Sequence, residues 1–293
     1  MIREPDTEYV LSLSYGKDSL ACLAAIQYLG YPLDRIVHAE VWATDTIPAD
    51  LPPMVEFKKK ADRIILDRYG IAVEHICASR AVERERERER ERVTYENTFY
   101  RKLYSKKYGR EQIYGFPTTK GAWCNSRLKM AALNAIKSGS SKKVVQYLGI
   151  AADEPERIAR HTRPGIVLPL VDLGWDEETC RQWCELNDLL SPIYTTADRG
   201  GCWFCHNQGI EQLRLLRKNY PDLWALLLKW DADSPITFKP LGRTVAHFEK
   251  RFQMEDNGEL KAGDKKFRWS QVFPEERKED INECGVCNGS EAI

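Results

Sequence analysis

Residues 9–29 constrain the fold of this chain more than any other stretch. Tyr9-Val10-Leu11-Ser12-Leu13 is a short apolar run of the kind a buried parallel strand needs, and it stops in Ser14-Tyr15-Gly16-Lys17-Asp18-Ser19. From Asp18 to Leu29 apolar residues recur at helical spacing. A strand passing through a tight polar loop into a helix is the opening of an α/β unit. The alternation continues, with strands expected over 36–42, 72–77 and 143–150 and helices over 54–69 and 176–189. It predicts a parallel sheet of about five strands covered by helices on both faces.

The loop itself has the chemistry of an anion holder. Gly16 permits a backbone turn closed to other residues, leaving exposed amides to point inward. Ser14 and Ser19 add hydroxyls, Lys17 adds charge, and the helix that follows presents its positive end. Asp18 suits helix capping or a magnesium-linked role. The spacing is not that of a Walker loop. In any open parallel sheet, ligands gather at the carboxyl ends of the strands, which is where this loop lies.

Three later blocks extend the pattern in order. They are Val37-His38-Ala39-Glu40 leading to Asp45-Thr46, then Leu148-Gly149-Ile150-Ala151-Ala152-Asp153-Glu154 with Arg157, then Leu168-Pro169-Leu170-Val171-Asp172-Leu173-Gly174-Trp175. With the loop, they resemble the PP-loop (adenine nucleotide alpha hydrolase-like) superfamily and, within it, the phosphoadenosine phosphosulfate (PAPS) reductase-like family. The resemblance spans most of residues 9–205. It implies a Rossmann-like α/β fold in which Ser14, Tyr15, Gly16, Lys17, Asp18 and Ser19 grip phosphates or sulfate. Asp45, Gly149 and Asp153 would then lie around the nucleotide, with Lys17 and Asp18 in catalysis. Ala151 stands where the family often carries arginine, which removes one phosphate contact.

The texture changes after about Thr195, so residues 1–195 are expected to form the nucleotide-binding domain and 196–293 a smaller cysteine-containing region. Within the first, Glu83 to Arg92 alternates glutamate and arginine strictly. On a helix that alternation sets like charges at i,i+4. Extended, it puts glutamates on one face and arginines on the other. It reads as a solvated insertion or linker, with contact to a polyanion as the sharper alternative. Lys265-Lys266-Phe267-Arg268-Trp269 offers a strand-binding surface or a solvated tail with a packed aromatic. His38, His75, His161 and His247 each stand alone in the sequence and read as packed or solvated side chains.

Lysine plus arginine equals aspartate plus glutamate at 44 each, so no global basic field points to nucleic acid. No apolar run approaches the roughly 18 residues of a membrane span, and Met1 to Asp6 lacks the pattern of an export signal. The expected setting is cytoplasmic, where the nine cysteines would be thiols or metal ligands. Cys22, Cys77, Cys180 and Cys184 lie in apolar patterns and read as small core residues. Cys202-Trp203-Phe204-Cys205 between glycines reads as a metal knuckle or a redox dithiol. Cys124 is the natural third ligand; the fourth would be His206, Cys284 or Cys287, or no protein ligand at all.

The block from Cys124 through Arg127 to Lys129 resembles the family's Cys-x-x-Arg-x-Lys. That resemblance implies a [4Fe–4S] cluster, with Zn2+ as the alternative, and makes Arg127, Lys129 and Arg157 anion contacts. Glu283-Cys284-Gly285-Val286-Cys287 resembles the segment carrying the nucleophilic cysteine of the PAPS and adenylyl-sulfate reductases. Cys287 replaces the family's histidine, which leaves a disulfide or a metal site as alternatives. Two chemistries follow. ATP, with Mg2+, is cleaved to AMP and pyrophosphate to activate a nucleic-acid or sulfur-carrier acceptor for sulfur transfer. Alternatively, Cys284 reduces PAPS or adenylyl sulfate to sulfite, with a thiol reductant. Lys17-Asp18-Ser19 favours the first and the Cys284 segment the second. A third reading, from another class, is a non-catalytic nucleotide-sensing or nucleic-acid-binding module.

Overall fold

A computed structural model of the chain describes residues 1–84, 87–105, 109–117, 122–195, 200–264 and 266–273. They divide into two compact units, one built from 1–98 and 123–203 and the other from 99–122 and 204–293. The division places residues 99–122 with the C-terminal unit, whereas the change of texture near Thr195 had left them in the first domain.

The first unit opens with β1 (Thr7–Ser12), α1 (Lys17–Tyr28), β2 (Arg35–Glu40), α2 (Pro52–Tyr69) and β3 (Val73–Cys77). After β3 come β4 (Ser79–Arg84), β5 (Glu87–Arg92) and the short α3 (Tyr95–Phe99), in whose last residue the division falls. The second unit then takes β6 (Lys102–Ser105) and β7 (Arg110–Ile113). The chain returns through a π-helical turn over Asn125–Met130 into α4 (Ala131–Gly139), β8 (Lys143–Leu148), α5 (Pro155–His161), β9 (Ile166–Val167), α6 (Pro169–Leu173) and α7 (Glu177–Leu186).

The central sheet has five strands, all parallel, in the order β3-β2-β1-β8-β9. The fold is therefore α/β and Rossmann-like, with helices flanking the sheet. Leu11 pairs with Ile36 on one side and Tyr147 on the other. Tyr9, Leu11 and Leu13 alternate into one core with Leu20, Leu23, Phe57 and Ile65 from α1 and α2. Cys180 and Cys184 of α7 join that core, and Cys22 is buried in it too. The order reverses between β1 and β8. A chain that runs outward from β1 and then restarts beside it leaves a crevice above that pair.

The described part of the Glu-Arg stretch, 83–84 and 87–92, lies in two strands that pair antiparallel, β4 with β5. Their register sets Glu83 opposite Arg88 and Arg84 opposite Glu87. An alternation that is frustrated on a helix becomes consistent here, because a pairing whose residue numbers sum to an odd value always sets glutamate against arginine. A slip of one residue would set like charges opposite one another. At the base of these two strands Arg80 pairs with Glu91 at 3.0 Å, and the Arg92 guanidinium lies 3.9 Å from the centre of the Trp42 ring.

The second unit carries the β6–β7 hairpin with α8 (Ile210–Asn219), α9 (Pro221–Asp233) and α10 (Val245–Asp256). Its core is aromatic: Phe99, Phe116, Trp230 and Phe238 pack edge-on or tilted within about 6 Å of one another. Glu255, nearly fully buried, accepts from Arg214 and Arg251. Phe267 and Trp269, half-buried, are packed against Arg251 and Phe248 of α10, so the aromatic groups of that stretch pack onto the unit's own helix. Among the described residues no helix is long and apolar enough to cross a membrane. The segment holding Cys284 and Cys287 lies outside the described residues.

Candidate functional site

A cavity of about 920 Å3 opens in the first unit above the reversal point. Ser12 to Asp18 form its floor at the end of β1, and Val37 to Ala39 and Val41 line it from β2. Asp50, Met54 and Lys58 come from α2 and the residues before it, Lys129 and Leu133 from the π-turn and α4. Glu154, Arg157 and Arg160 enter at the head of α5, Glu177 at the head of α7, and Tyr194 and Cys202 from the segment beyond.

The loop is held by its own side chains. Ser19 Oγ accepts from the Ser14 amide at 3.1 Å and from Ser14 Oγ at 3.0 Å, and donates to the Gly16 carbonyl at 2.9 Å. Ser19 is thus spent inside the loop, is buried, and does not line the cavity. The left-handed residue is Tyr15, at φ +57, and not Gly16, whose φ of −77 and ψ of 157 suit any residue. Expecting Gly16 to supply the special backbone therefore missed by one position. The Tyr15 ring anchors that conformation: it is fully buried, and its hydroxyl donates to Asp62. Gly16 is the N-cap of α1 without a side-chain cap, so Asp18 is not the cap. Asp18 lies in the first turn instead and accepts from Lys17 Nζ at 2.8 Å.

Lys17 Nζ also donates to Glu177 at 2.8 Å, and the Lys17 amide donates to the Tyr194 hydroxyl at 3.1 Å. Burial works to lower the Lys17 pKa, but the bonds to Asp18 and Glu177 overcome it and hold the value above normal. Burial pushes Asp18 and Tyr194 up. α7 is placed to supply Glu177 because Cys184 Sγ meets the Lys17 carbonyl at 3.3 Å and Asp153 accepts from the Glu177 amide at 3.1 Å. Arg157 pairs with Glu154, which also accepts from the Ala151 amide at 3.2 Å.

Gly149 has a structural reason to be glycine. A Cβ there would lie 2.6 Å from both the Asp18 carbonyl oxygen and Ser19 Cα, so only a bare Cα lets the end of β8 meet the first turn of α1. Asp45 is on the loop after β2, its carbonyl accepting from Arg92; neither it nor Gly149, Asp153 or Arg127 lines the cavity.

Sequence reading missed a second cluster on the α2 side. Lys58 is a lysine with only 8% of its surface exposed. It donates to Asp50 at 2.5 Å and meets His38 Nε2 at 2.8 Å, while His38 Nδ1 lies 2.8 Å from the Leu13 carbonyl. A carbonyl only accepts, so Nδ1 carries the proton and Nε2 accepts from Lys58. Burial, then the Lys58 charge, holds His38 neutral with a pKa near about 3. Next to it His75 bridges Glu40 at 2.8 Å and Asp62 at 2.9 Å, bonds that raise it to about 9. The signal for Lys58 was available, since it falls in the apolar stripe Met54, Phe57, Ala61, Ile65 of an otherwise amphipathic helix.

Among the described residues no group of three or more His, Cys, Asp or Glu side chains is gathered so as to hold a metal ion. Cys124 and Cys202 belong to the first unit, Cys205 and His206 to the second. In the second unit Lys239 Nζ donates to the carbonyls of His206 at 2.9 Å and Gln208 at 2.5 Å, closing the chain after Cys205. No protein-family model matches this chain, and no curated protein matches it at a significant level.

Proposed function

We propose that this chain is a PAPS reductase-like PP-loop enzyme that binds an adenine nucleotide and cleaves ATP to AMP and pyrophosphate, activating an acceptor for sulfur transfer. The observation that carries this reading is the position of Lys17. It stands in the first turn of α1, inside a cavity above the β1/β8 reversal, where an α/β sheet receives its ligand.

The residues suit phosphoryl chemistry. Lys17, Lys129, Arg157 and Arg160 line the cavity against Asp18, Glu154 and Glu177, an excess of one positive charge. The Tyr194 hydroxyl on the Lys17 amide marks where a phosphoryl oxygen would be received. In the proposed reaction an acceptor oxygen attacks the α-phosphorus, and the bond to the bridging oxygen breaks as pyrophosphate leaves with the electron pair. A thiocarboxylate sulfur on a carrier then displaces AMP, which departs with the acceptor's former oxygen. Water cleaves the carrier's acyl–sulfur bond, leaving the sulfur on the acceptor and a carboxylate on the carrier. Lys17 and Arg157 would offset the charge that grows on the phosphoryl oxygens. Among the described residues no three His, Cys, Asp or Glu side chains gather to hold zinc or a cluster, so no step is routed through one. Magnesium needs only one or two carboxylates beside the phosphates, and Asp18 lines the cavity where it would supply one. The acceptor would be a nucleic acid or a sulfur carrier.

One sequence feature favours a second reading. The Glu283-Cys284-Gly285 segment suits reduction of PAPS or adenylyl sulfate to sulfite, with Cys284 attacking sulfur. Pyrophosphate release from ATP, run beside sulfite release from both nucleotidyl sulfates, separates the two. Pyrophosphate without sulfite supports the first reading, sulfite without pyrophosphate the second. Binding without either product supports a non-catalytic nucleotide sensor.

A further inference from the structure

Resting on the adenine-nucleotide reading, we infer that Lys58 and Asp50 form a side-chain reader for the Watson–Crick edge of the nucleobase, with Lys58 donating to a ring nitrogen and Asp50 accepting from the exocyclic amine.

A lysine this buried costs free energy unless each donor is used. An ammonium group has three hydrogens. One meets Asp50 and one the lone pair of His38 Nε2. The third has no hydrogen-bonding protein partner among the described residues. The cavity that Lys58 borders supplies the space for one. The Tyr15 ring, 5.2 Å from Nζ, closes one side with its face. Asp50 lines the same cavity and spends one carboxylate oxygen, Oδ2, on Lys58.

Charge decides which end of a nucleotide this cluster takes. His38 is neutral by its tautomer, and Lys58 and Asp50 cancel, so the cluster has no net charge to attract a phosphate or sulfate. The excess positive charge belongs to the other cluster, on α1, α5 and the π-turn. The lining of the cavity that Lys58 borders includes Val37, Ala39, Val41, Ala49 and Met54, apolar surface for a flat ring. A donor beside an acceptor, between apolar walls, complements adenine, which shows a ring-nitrogen acceptor next to an amine. His38 is a positioning residue: pinned to the Leu13 carbonyl, it fixes the direction of Lys58.

Titration calorimetry of the wild-type chain with ATP, 1-deaza-ATP and purine riboside triphosphate tests this without any variant. The first analogue lacks the ring nitrogen and the second the amine. Each is expected to bind about 10- to 100-fold more weakly than ATP, the range for losing a hydrogen bond to a charged group. Lys58→Met should lose the discrimination against 1-deaza-ATP, read as the ratio of the ATP and 1-deaza-ATP affinities within the variant, so that the effect of the uncompensated Asp50 charge on the phosphates cancels. Equal affinity for ATP and both analogues, or tighter binding of GTP than ATP, would overturn the inference. If ATP and tripolyphosphate both fail to bind the wild type, the nucleotide reading itself falls, which is a distinguishable result.

Discussion

Lys17 and Glu177, 160 residues apart in sequence, meet at 2.8 Å at the mouth of the cavity. The contact joins the first turns of α1 and α7 and leaves the loop's cation neutralised by Glu177 and Asp18. An entering phosphate would compete with those carboxylates for Lys17.

Glu177→Gln should therefore raise the affinity for inorganic tripolyphosphate, by about 5- to 10-fold, because one competing charge is gone. Lys17→Met should lower it by at least about 10-fold. Calorimetric titration of both variants checks the pair; an unchanged affinity in E177Q would show that the contact does not oppose binding.

The two glycines of the site should respond differently to alanine. Gly149→Ala forces a Cβ into the backbone of Asp18 and Ser19 and should destabilise the protein by about 3 kcal/mol. At Gly16 the nearest atoms to a Cβ are hydroxyl oxygens at 3.4 and 3.5 Å, and φ is ordinary, so Gly16→Ala should cost less than about 1 kcal/mol. Urea unfolding of the two variants gives the comparison.

Tyr15 sets a left-handed backbone against a buried anchor. Tyr15→Phe should cost about 1–2 kcal/mol through the lost bond to Asp62. Tyr15→Gly relieves the backbone but empties a fully buried ring site, and should cost about 3–5 kcal/mol. A glycine variant more stable than the phenylalanine variant would mean that backbone strain outweighs the anchor.

The paired histidines should shape stability against pH with opposite signs. His75, facing Glu40, Asp62, the Tyr15 hydroxyl and the His38 ring, is raised from an ordinary 6.5 to about 9. Its contribution is complete below about pH 6.5 and lost as pH rises through about 9; with screening at a partly exposed site it is about 2 kcal/mol. His38 stays neutral in the fold down to about 3, so stability falls as pH drops below about 6.5, where the unfolded chain takes up its proton. Denaturant midpoints across pH 4–10 should pass through a maximum near about pH 6.5. His75→Gln should flatten the alkaline limb and leave the acid limb.

The β–loop–α opening was legible because β1 is a short apolar run ended by turn formers and α1 carries apolar residues at helical spacing. The fifth strand, β9, is only two residues long and offered no such run. Lys58 was hidden by its neighbours, since Lys58-Lys59-Lys60 looks like a solvated charge run unless each lysine is placed on the helical stripe. His38 and His75 are 37 positions apart by number, yet they are direct partners across β2 and β3, so their pairing required the sheet register. The Glu-Arg alternation likewise makes sense only once its cross-strand partner is known. Gly149 was named for the nucleotide, but its need for a bare Cα comes from packing between β8 and α1, which no local pattern reveals.

The central claim is that the turn between β1 and α1 receives the phosphates of an adenine nucleotide. A crystal structure with a non-hydrolysable ATP analogue tests it most directly. The account predicts phosphate oxygens within hydrogen-bonding distance of Lys17 Nζ and the Lys17 amide, with Glu177 or Tyr194 displaced from its present contact. An analogue bound elsewhere, with Lys17 still paired to Glu177 and Tyr194 still on its amide, would contradict it.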